Sequence, residues 1–373
     1  MSRYGLTEQK KSIALGPGTP VKMGGDLGDL ASAFSLGDKF FDVDGQRGRL
    51  VIQQPHNPLA NRDAVDKWDI SVQQRLAQMD LSDSEKKLLG LVMATFGLTE
   101  VAKTGFLSLL RLYALSDYDF ARLMELNSTL KIPGGTTALA NAMFDEFKGT
   151  ALFNRKVTAI NSNVGPGAQV VIDGGETFEA KHVICTIPIN CLSDVRFSPA
   201  LAPCYSSIRH QNIGGKLHVH SDSGSLRFFG VSTPDRPSIF GFSESTSEAN
   251  GTNMVIFKSS DSQPEAIEED PLKLLNDSLV DLVPRKVRTG QINDFLWHDW
   301  RMDEFAKGTW SIYGPKVLTG DLARLLENRQ ISDSVLLAGS DIADGWVGYI
   351  DGAVEQGRRA GYLIGNRLVS GTK

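Results

Sequence analysis

The stretch Ser334-Val-Leu-Leu-Ala-Gly339 limits the fold of this chain more than any other. Its apolar residues run without a break, so a strand formed there has to be covered on both faces. After a short loop, Ile350, Val354, Gly357, Gly361, Ile364 and Leu368 recur at helical steps and make one stripe. The two glycines in that stripe leave room for the helix to lie close against a sheet. The helix start near Asp351-Gly352 offers unpaired N–H groups and a positive dipole end, which suits an anion. The chain therefore has to contain a strand–loop–helix corner inside an α/β layer structure.

The rest of the pattern is mixed. From about Ala64 to Leu130 the spacing is helical, through Trp68, Ile70, Leu76, Met79 and Leu81 and again through Leu88 to Phe96. Residues 106–112 read as a well-buried helix. Ile132-Pro-Gly-Gly135 is a tight turn leading into a second amphipathic helix through Leu139, Met143 and Phe147. Then the texture becomes β: 157–160, 169–172 and 182–186 are short strands separated by Gly and Asn turns. Lys216-Leu-His-Val-His220 alternates as a half-buried strand does, 254–257 is another strand, and 271–283 reads as a helix.

Composition narrows the function. The 373 residues carry a net charge of −5, which gives no electrostatic reason for a nucleic acid or an anionic membrane as partner. No apolar run approaches the roughly 20 residues that cross a bilayer. Residues 1–11 lack the apolar core of a secretory signal. Cys185, Cys191 and Cys204 have neither disulfide-framework nor zinc spacing, so a reducing, cytosolic setting is expected. His218 and His220 share a strand face but lack a third ligand, so no metal site is expected. The sequence leaves a homo-oligomer open.

Three segments in order resemble the flavin-containing monoamine oxidases. The first is Ile132-Pro-Gly-Gly-Thr-Thr-Ala-Leu with Val157-Thr-Ala-Ile160 and Val183-Ile-Cys-Thr-Ile-Pro188. The second is Trp297-His-Asp-Trp300 with Asp303-Glu-Phe-Ala-Lys-Gly-Thr-Trp310. The third is Ala338-Gly-Ser-Asp341 with Trp346-Val-Gly-Tyr-Ile-Asp-Gly-Ala-Val354-Glu-Gln-Gly357. The resemblance covers nearly the whole chain and is closest to the fungal monoamine oxidases, notably in Cys185-Thr-Ile-Pro188 and Phe197-Ser-Pro-Ala-Leu201.

The resemblance implies an α/β (mixed α+β) two-domain fold with interleaved segments. Residues 1–130 and 201–297 would form the helical and sheet parts of a substrate domain, and 131–200 and 298–373 the segments of an FAD domain. It implies oxidation of a primary or secondary amine to an imine, with hydride passing to FAD and dioxygen becoming hydrogen peroxide. Trp310 and Tyr349 would sandwich the amine, and Lys216 would hold a water beside the flavin and assist dioxygen. Val157, Trp300, Gly339, Asp341, Tyr349, Ile350 and Gly352 would surround the cofactor, Gly352 admitting the ring. Thr309 stands where some members carry the cysteine that binds flavin covalently, so the FAD here would be non-covalent.

Taken singly, each of these residues has a plainer reading. The two aromatics are core residues, Lys216 faces solvent, and Asp341 caps a turn. One departure matters. The family opens with a βαβ unit bearing G-x-G-x-x-G, and Arg3-Tyr-Gly-Leu6 already matches a point beyond it. The expectation is a chain lacking that unit, with apolar strand edges left uncovered. A flavin-free binding protein or repurposed secondary-metabolism enzyme is the alternative function.

Overall fold

A computed structural model describes residues 9–10, 21–23, 30–128, 130–163, 165–210, 214–222, 228–232, 238–247, 249, 251–258, 282 and 292–370. The chain forms two compact units, each from three separated segments. One comprises residues 36–118, 154–215 and 299–373, and the other residues 1–35, 119–153 and 216–298. It is a mixed α/β fold with interleaved segments, as the sequence implies.

In the first unit two helices begin where side chains satisfy their free N–H groups. Val72–Ala77 and Asp83–Gly97 each start with a capping box, Ser71 with Gln74 and Ser82 with Glu85. The helix Phe106–Leu115 is buried on almost every side, as its unbroken apolar run demands. Phe41 stacks on Tyr113 at 4.3 Å between ring centroids, and Phe40 meets Phe106 edge-on at 5.3 Å.

The strand expected at 334–339 forms over Val335–Leu337, with all three residues buried. It pairs in parallel with Val183–Cys185 and antiparallel with Gln330–Ser332. The C-terminal helix Ile350–Ser370 packs on it through Ala360, Leu363 and Ile364, against Leu336 and Ala338. Here the structure differs from the sequence reading. A side chain added at Gly357 or Gly361 would meet nothing within 4 Å, so Ala360 and its neighbours, not these two glycines, make the close contact. Among the described residues, Val183–Cys185 is the edge of this sheet, and Ile184 is 38% exposed there. A second sheet orders Thr177–Ala180, Ala168–Ile172, Val157–Asn161 and Arg196–Ser198.

The second unit is built on a six-stranded sheet with the order Ile292–Asp299, Gly215–Ser221, Gly251–Lys258, Ser238–Ser247, Phe229–Val231 and Val21–Met23. Gly215–Ser221 alternates buried and half-buried residues as expected. Leu217, Val219, Phe228, Met254, Ile256 and Leu282 form its core. Thr136–Asp145 is helical, but none of its residues is buried. The apolar side of that helix, with Met143 and Phe144, is exposed, as is Phe147 just beyond it. The helix expected over 271–283 lies outside the described residues, Leu282 excepted. No helix among the described residues is long and apolar enough to cross a membrane.

One buried carboxylate ties distant parts of the first unit together. Asp69, 1% exposed, accepts from Lys316 N at 2.6 Å, Thr319 N at 3.0 Å and the Thr319 hydroxyl at 2.7 Å. Asp69→Ala leaves three partly buried donors without that charged acceptor and is expected to cost about 2 kcal/mol. The check is a lower urea midpoint at unchanged slope.

Candidate functional site

A cavity of about 210 Å³ opens within the first unit. One wall is Thr186–Ile189, the segment leaving the Val183–Cys185 strand. The facing wall is Leu337–Ile342, leaving the parallel strand beside it. Thr309, Ser311, Gly308, Gly348 and His210 close the rim. Two parallel strands ending side by side thus deliver two loops to one place, the usual origin of a ligand crevice in α/β structures. Gly339 marks where the chain turns from strand to loop. Its φ of +144° is one that side chains rarely adopt, and a side chain there would meet nothing within 4 Å.

Asp341 holds the walls in register. One carboxylate oxygen accepts from Ile189 N at 2.8 Å, and the other accepts from the Ser311 hydroxyl. Its backbone carbonyl accepts from the Tyr313 hydroxyl at 2.7 Å. The Tyr313 phenol is fully buried, and burial beside this carboxylate pushes its pKa well up. Tyr313 therefore serves as a donor and not as an acid at neutral pH.

The loop beyond Asp341 is gripped by two buried arginines. Arg111 donates to the carbonyls of Ala343 and Asp344, at 3.2 Å each, and Arg329 donates to the Ile342 carbonyl at 3.2 Å and to the Asp344 carboxylate. Glu355, one turn into the C-terminal helix, accepts from Asp344 N and Gly345 N at 3.2 and 3.1 Å. Burial pushes Arg111 down to about 10, which keeps it charged at neutral pH.

This grip positions Gly348, and with it the two aromatics singled out in the sequence. A side chain at Gly348, where φ is +80°, would stand 3.0 Å from Ser311 N. The segments bearing Trp310 and Tyr349 therefore touch backbone to backbone at the rim. Tyr349 also meets Trp346 edge-on at 5.3 Å. Both Trp310 and Tyr349 are half-buried.

Of the residues named from the sequence, Gly339 and Asp341 line the cavity, whereas Trp310, Tyr349, Val157, Trp300, Ile350 and Gly352 lie outside its lining, the two aromatics each beside a residue that lines it. Val157 is half-buried in its strand. Trp300 is 41% exposed, and its carbonyl accepts from Gly308 N at 3.0 Å. Ile350 is exposed at the helix start. The space beside Gly352 is taken by the Trp346 carbonyl, 2.2 Å from where a side chain would begin, so the chain's own packing requires that glycine.

Lys216 belongs to the second unit. It is half-buried, with its ammonium 5.7 Å from the Phe257 ring centroid. Burial lowers its pKa against the opposing pull of Glu244. His218 is likewise lowered, by burial and then by Lys216, and His220 meets Asn253 at 3.0 Å. Among the described residues, no group of three or more His, Cys, Asp or Glu side chains is placed to hold a metal.

Two residues at the cavity escaped the sequence reading. His210, 5% exposed, lies with Nδ1 3.2 Å from the Asn190 amide nitrogen and Nε2 4.0 Å from Asp341. Asn190 accepts from His210 N at 3.3 Å and donates to the Lys307 carbonyl at 2.9 Å. A lone histidine in Ile-Arg-His-Gln and a lone asparagine in Pro-Ile-Asn-Cys carry no spacing signal. The partners lie 20 to 117 residues away along the chain.

Burial lowers the His210 pKa, Asp341 opposes the shift and Arg209 adds to it. The folded chain thus holds a neutral imidazole. The unfolded chain binds a proton below the ordinary value near 6.5, so stability present above that pH is lost as pH falls below it. Wild type is expected to lose more stability between about pH 7.5 and about pH 5.5 than His210→Gln does. Urea midpoints at the two pH values check this. In the same assay Gly348→Ala, strained by both φ and the Ser311 contact, is expected to be less stable by about 2 kcal/mol.

Residues 6–364 match the flavin containing amine oxidoreductase family. The chain is 27% identical over 327 residues to pseudooxynicotine dehydrogenase of a Pseudomonas species, spanning 85% of this chain and 63% of the relative. It is 28% identical over 318 residues to nicotine dehydrogenase of Pseudomonas putida, spanning 83% and 63%, and 23% identical over 256 residues to amine oxidase B of Sus scrofa, spanning 62% and 46%. The chain thus spans less than two thirds of the length of these relatives. They are bacterial and animal, and lend nothing to the closer fungal likeness. Among solved structures, putrescine oxidase bound to putrescine superposes with a TM-score of 0.76 at 21% identity, over 98% of this chain and 84% of that one. Cyclohexylamine oxidase from Brevibacterium oxydans gives 0.71 at 18%, with the same coverage. The fold is that of the flavin amine oxidases, and the chain belongs to the flavin containing amine oxidoreductase family.

Proposed function

We propose that this chain serves the FAD-dependent oxidation of a primary or secondary amine to an imine, dioxygen becoming hydrogen peroxide. One observation carries the reading: the backbone contact of Gly348 with Ser311 sets the Trp310 and Tyr349 segments side by side on the rim of the cavity. Two half-buried aromatics, each next in the chain to a residue lining the cavity, would offer faces to an amine, and fixing its orientation supplies much of the rate.

The cavity suits the ring end of a flavin. Ile187, Pro188, Leu337 and Ile342 give apolar walls, and Thr186, Ser311 and His210 converge as polar groups. The open side of Gly339 leaves space that any side chain would fill. FAD, when bound, supplies the acceptor for the two electrons of the amine and passes them on to dioxygen. Gly339 and Asp341 would hold it, Asp341 by keeping the 186–189 and 337–342 walls at their spacing. Val157, Trp300, Ile350 and Gly352 are assigned to its surroundings on the resemblance alone. Thr309, which offers no thiol, is consistent with non-covalent binding.

Lys216 is assigned the part of assisting dioxygen. Its half-burial and lowered pKa support this reading, since a poorly solvated ammonium stabilises developing negative charge strongly. We further infer that residues 1–130 and 201–297 form the substrate domain and 131–200 and 298–373 the FAD domain. The free thiols Cys185, Cys191 and Cys204 are in keeping with a cytosolic setting.

The test is hydrogen peroxide release from a panel of primary and secondary amines, with the visible spectrum recorded after FAD addition and desalting. Trp310→Ala and Tyr349→Ala are each expected to lower kcat/KM about a hundredfold while leaving the flavin band in place. A folded protein that retains no flavin and forms no peroxide with any amine would sink the proposal.

A further inference from the structure

The hydrogen bonds around His210 determine which of its two nitrogens carries the proton. Asn190 cannot be turned over: its oxygen accepts the His210 backbone N–H, and its nitrogen donates to the Lys307 carbonyl. The remaining hydrogen on that amide nitrogen faces His210 Nδ1, 3.2 Å away. An amide nitrogen accepts nothing, so Nδ1 must be the acceptor and the neutral ring must be protonated at Nε2. Gly308 seals this edge of the ring. A side chain there would stand 2.8 Å from the Asn190 nitrogen and 3.0 Å from Nδ1, so only glycine lets the pair form.

The other edge is different. Nε2 stands 4.0 Å from the nearer Asp341 oxygen, beyond direct hydrogen-bonding reach. That oxygen already accepts the Ser311 hydroxyl. His210 is part of the cavity lining between the 186–189 and 337–342 walls. The buried N–H is thus fixed on the ring edge opposite Asn190, and among the described residues the Asp341 carboxylate stays out of its hydrogen-bonding range.

We propose that His210, its proton fixed on Nε2 by Asn190, is a cofactor-binding residue that donates to an acceptor atom of the flavin held in this cavity. The role rests on the flavin reading above and goes beyond it. It assigns the cavity a specific donor, and it explains why Asn190 and Gly308 occupy their places. Among the described residues, the charged and titratable groups around the ring are Asp341, Arg209 and the Tyr313 phenol. Asn190 and Gly308 sit against the Nδ1 edge.

Two substitutions separate the two nitrogens, because an asparagine amide overlies Nδ1 of histidine and a glutamine amide overlies Nε2. FAD is titrated into the purified full chain, and flavin fluorescence gives the dissociation constant while the visible band is recorded. His210→Asn keeps the contact to Asn190 and loses the donor, so binding is expected to weaken about tenfold and the band to shift. His210→Gln returns an N–H to the Nε2 position and is expected to restore the band and bring affinity back to within about twofold. A His210→Asn protein with wild-type affinity and band overturns the inference, and so does a His210→Gln protein as weak as His210→Asn.

Wild type that takes up no FAD removes the functional reading and this role with it. Wild type that binds FAD while both variants are indifferent removes this role alone. Nitrogen NMR of the histidine-labelled wild-type chain gives a second readout that does not depend on the variants folding. One neutral ring protonated at Nε2, whose signal moves when FAD is added, is expected. A ring protonated at Nδ1, or a signal that FAD leaves in place, overturns the proposal.

Discussion

The Asp341 carboxylate is the contact on which the site depends. Ile189 comes from one part of the chain, Ser311 and Tyr313 from another, and all three converge on this one residue. A charged acceptor forms hydrogen bonds about twice as strong as neutral ones. The cavity is therefore a gap of set width between two loops, and the two parallel strands behind them supply the rigid base. The buried arginines extend the same logic to the next turn. They satisfy the carbonyls of residues 342–344 that the loop would otherwise leave unpaired.

Polar burial on this scale is expensive unless each group is matched, and here the matching residues make no contact with the amine in the proposed reaction. Arg111, Arg329, Glu355, Asn190 and Gly308 all act on the position of something else. The two aromatics and the Nε2–H of His210 carry the proposed chemistry, and their placement is inherited from that scaffold.

The sequence revealed the parts of the fold that repeat. Val335–Leu337 and the helix Ile350–Ser370 were legible because an unbroken apolar run and a helical stripe are local patterns. Ser238–Ser247 was missed because its polar half, Ser-Glu-Ser-Thr-Ser, reads as loop. It is a strand because Gly251–Lys258 pairs along its length. Asp341 and the aromatics were found by resemblance, through motifs that survive as short strings. His210 and Asn190 belong to no such string. Their meaning lies in a contact between residues far apart in the chain, which no local pattern encodes.

Each compact unit is assembled from segments that the other unit interrupts. On a ribosome, the Ile189 amide emerges some 150 residues before the carboxylate that receives it. The Val183–Cys185 strand likewise waits for Val335–Leu337. Such pairings of high sequence separation slow folding, because loop closure precedes the reward of contact. The Ile187 and Ile189 side of the cavity wall thus waits through the synthesis of about 150 further residues without its partner, exposed as unpaired apolar chain. The feature that gives the finished site its set width also delays it, and ties its yield to whatever shields the nascent chain until residues 335–342 have been made.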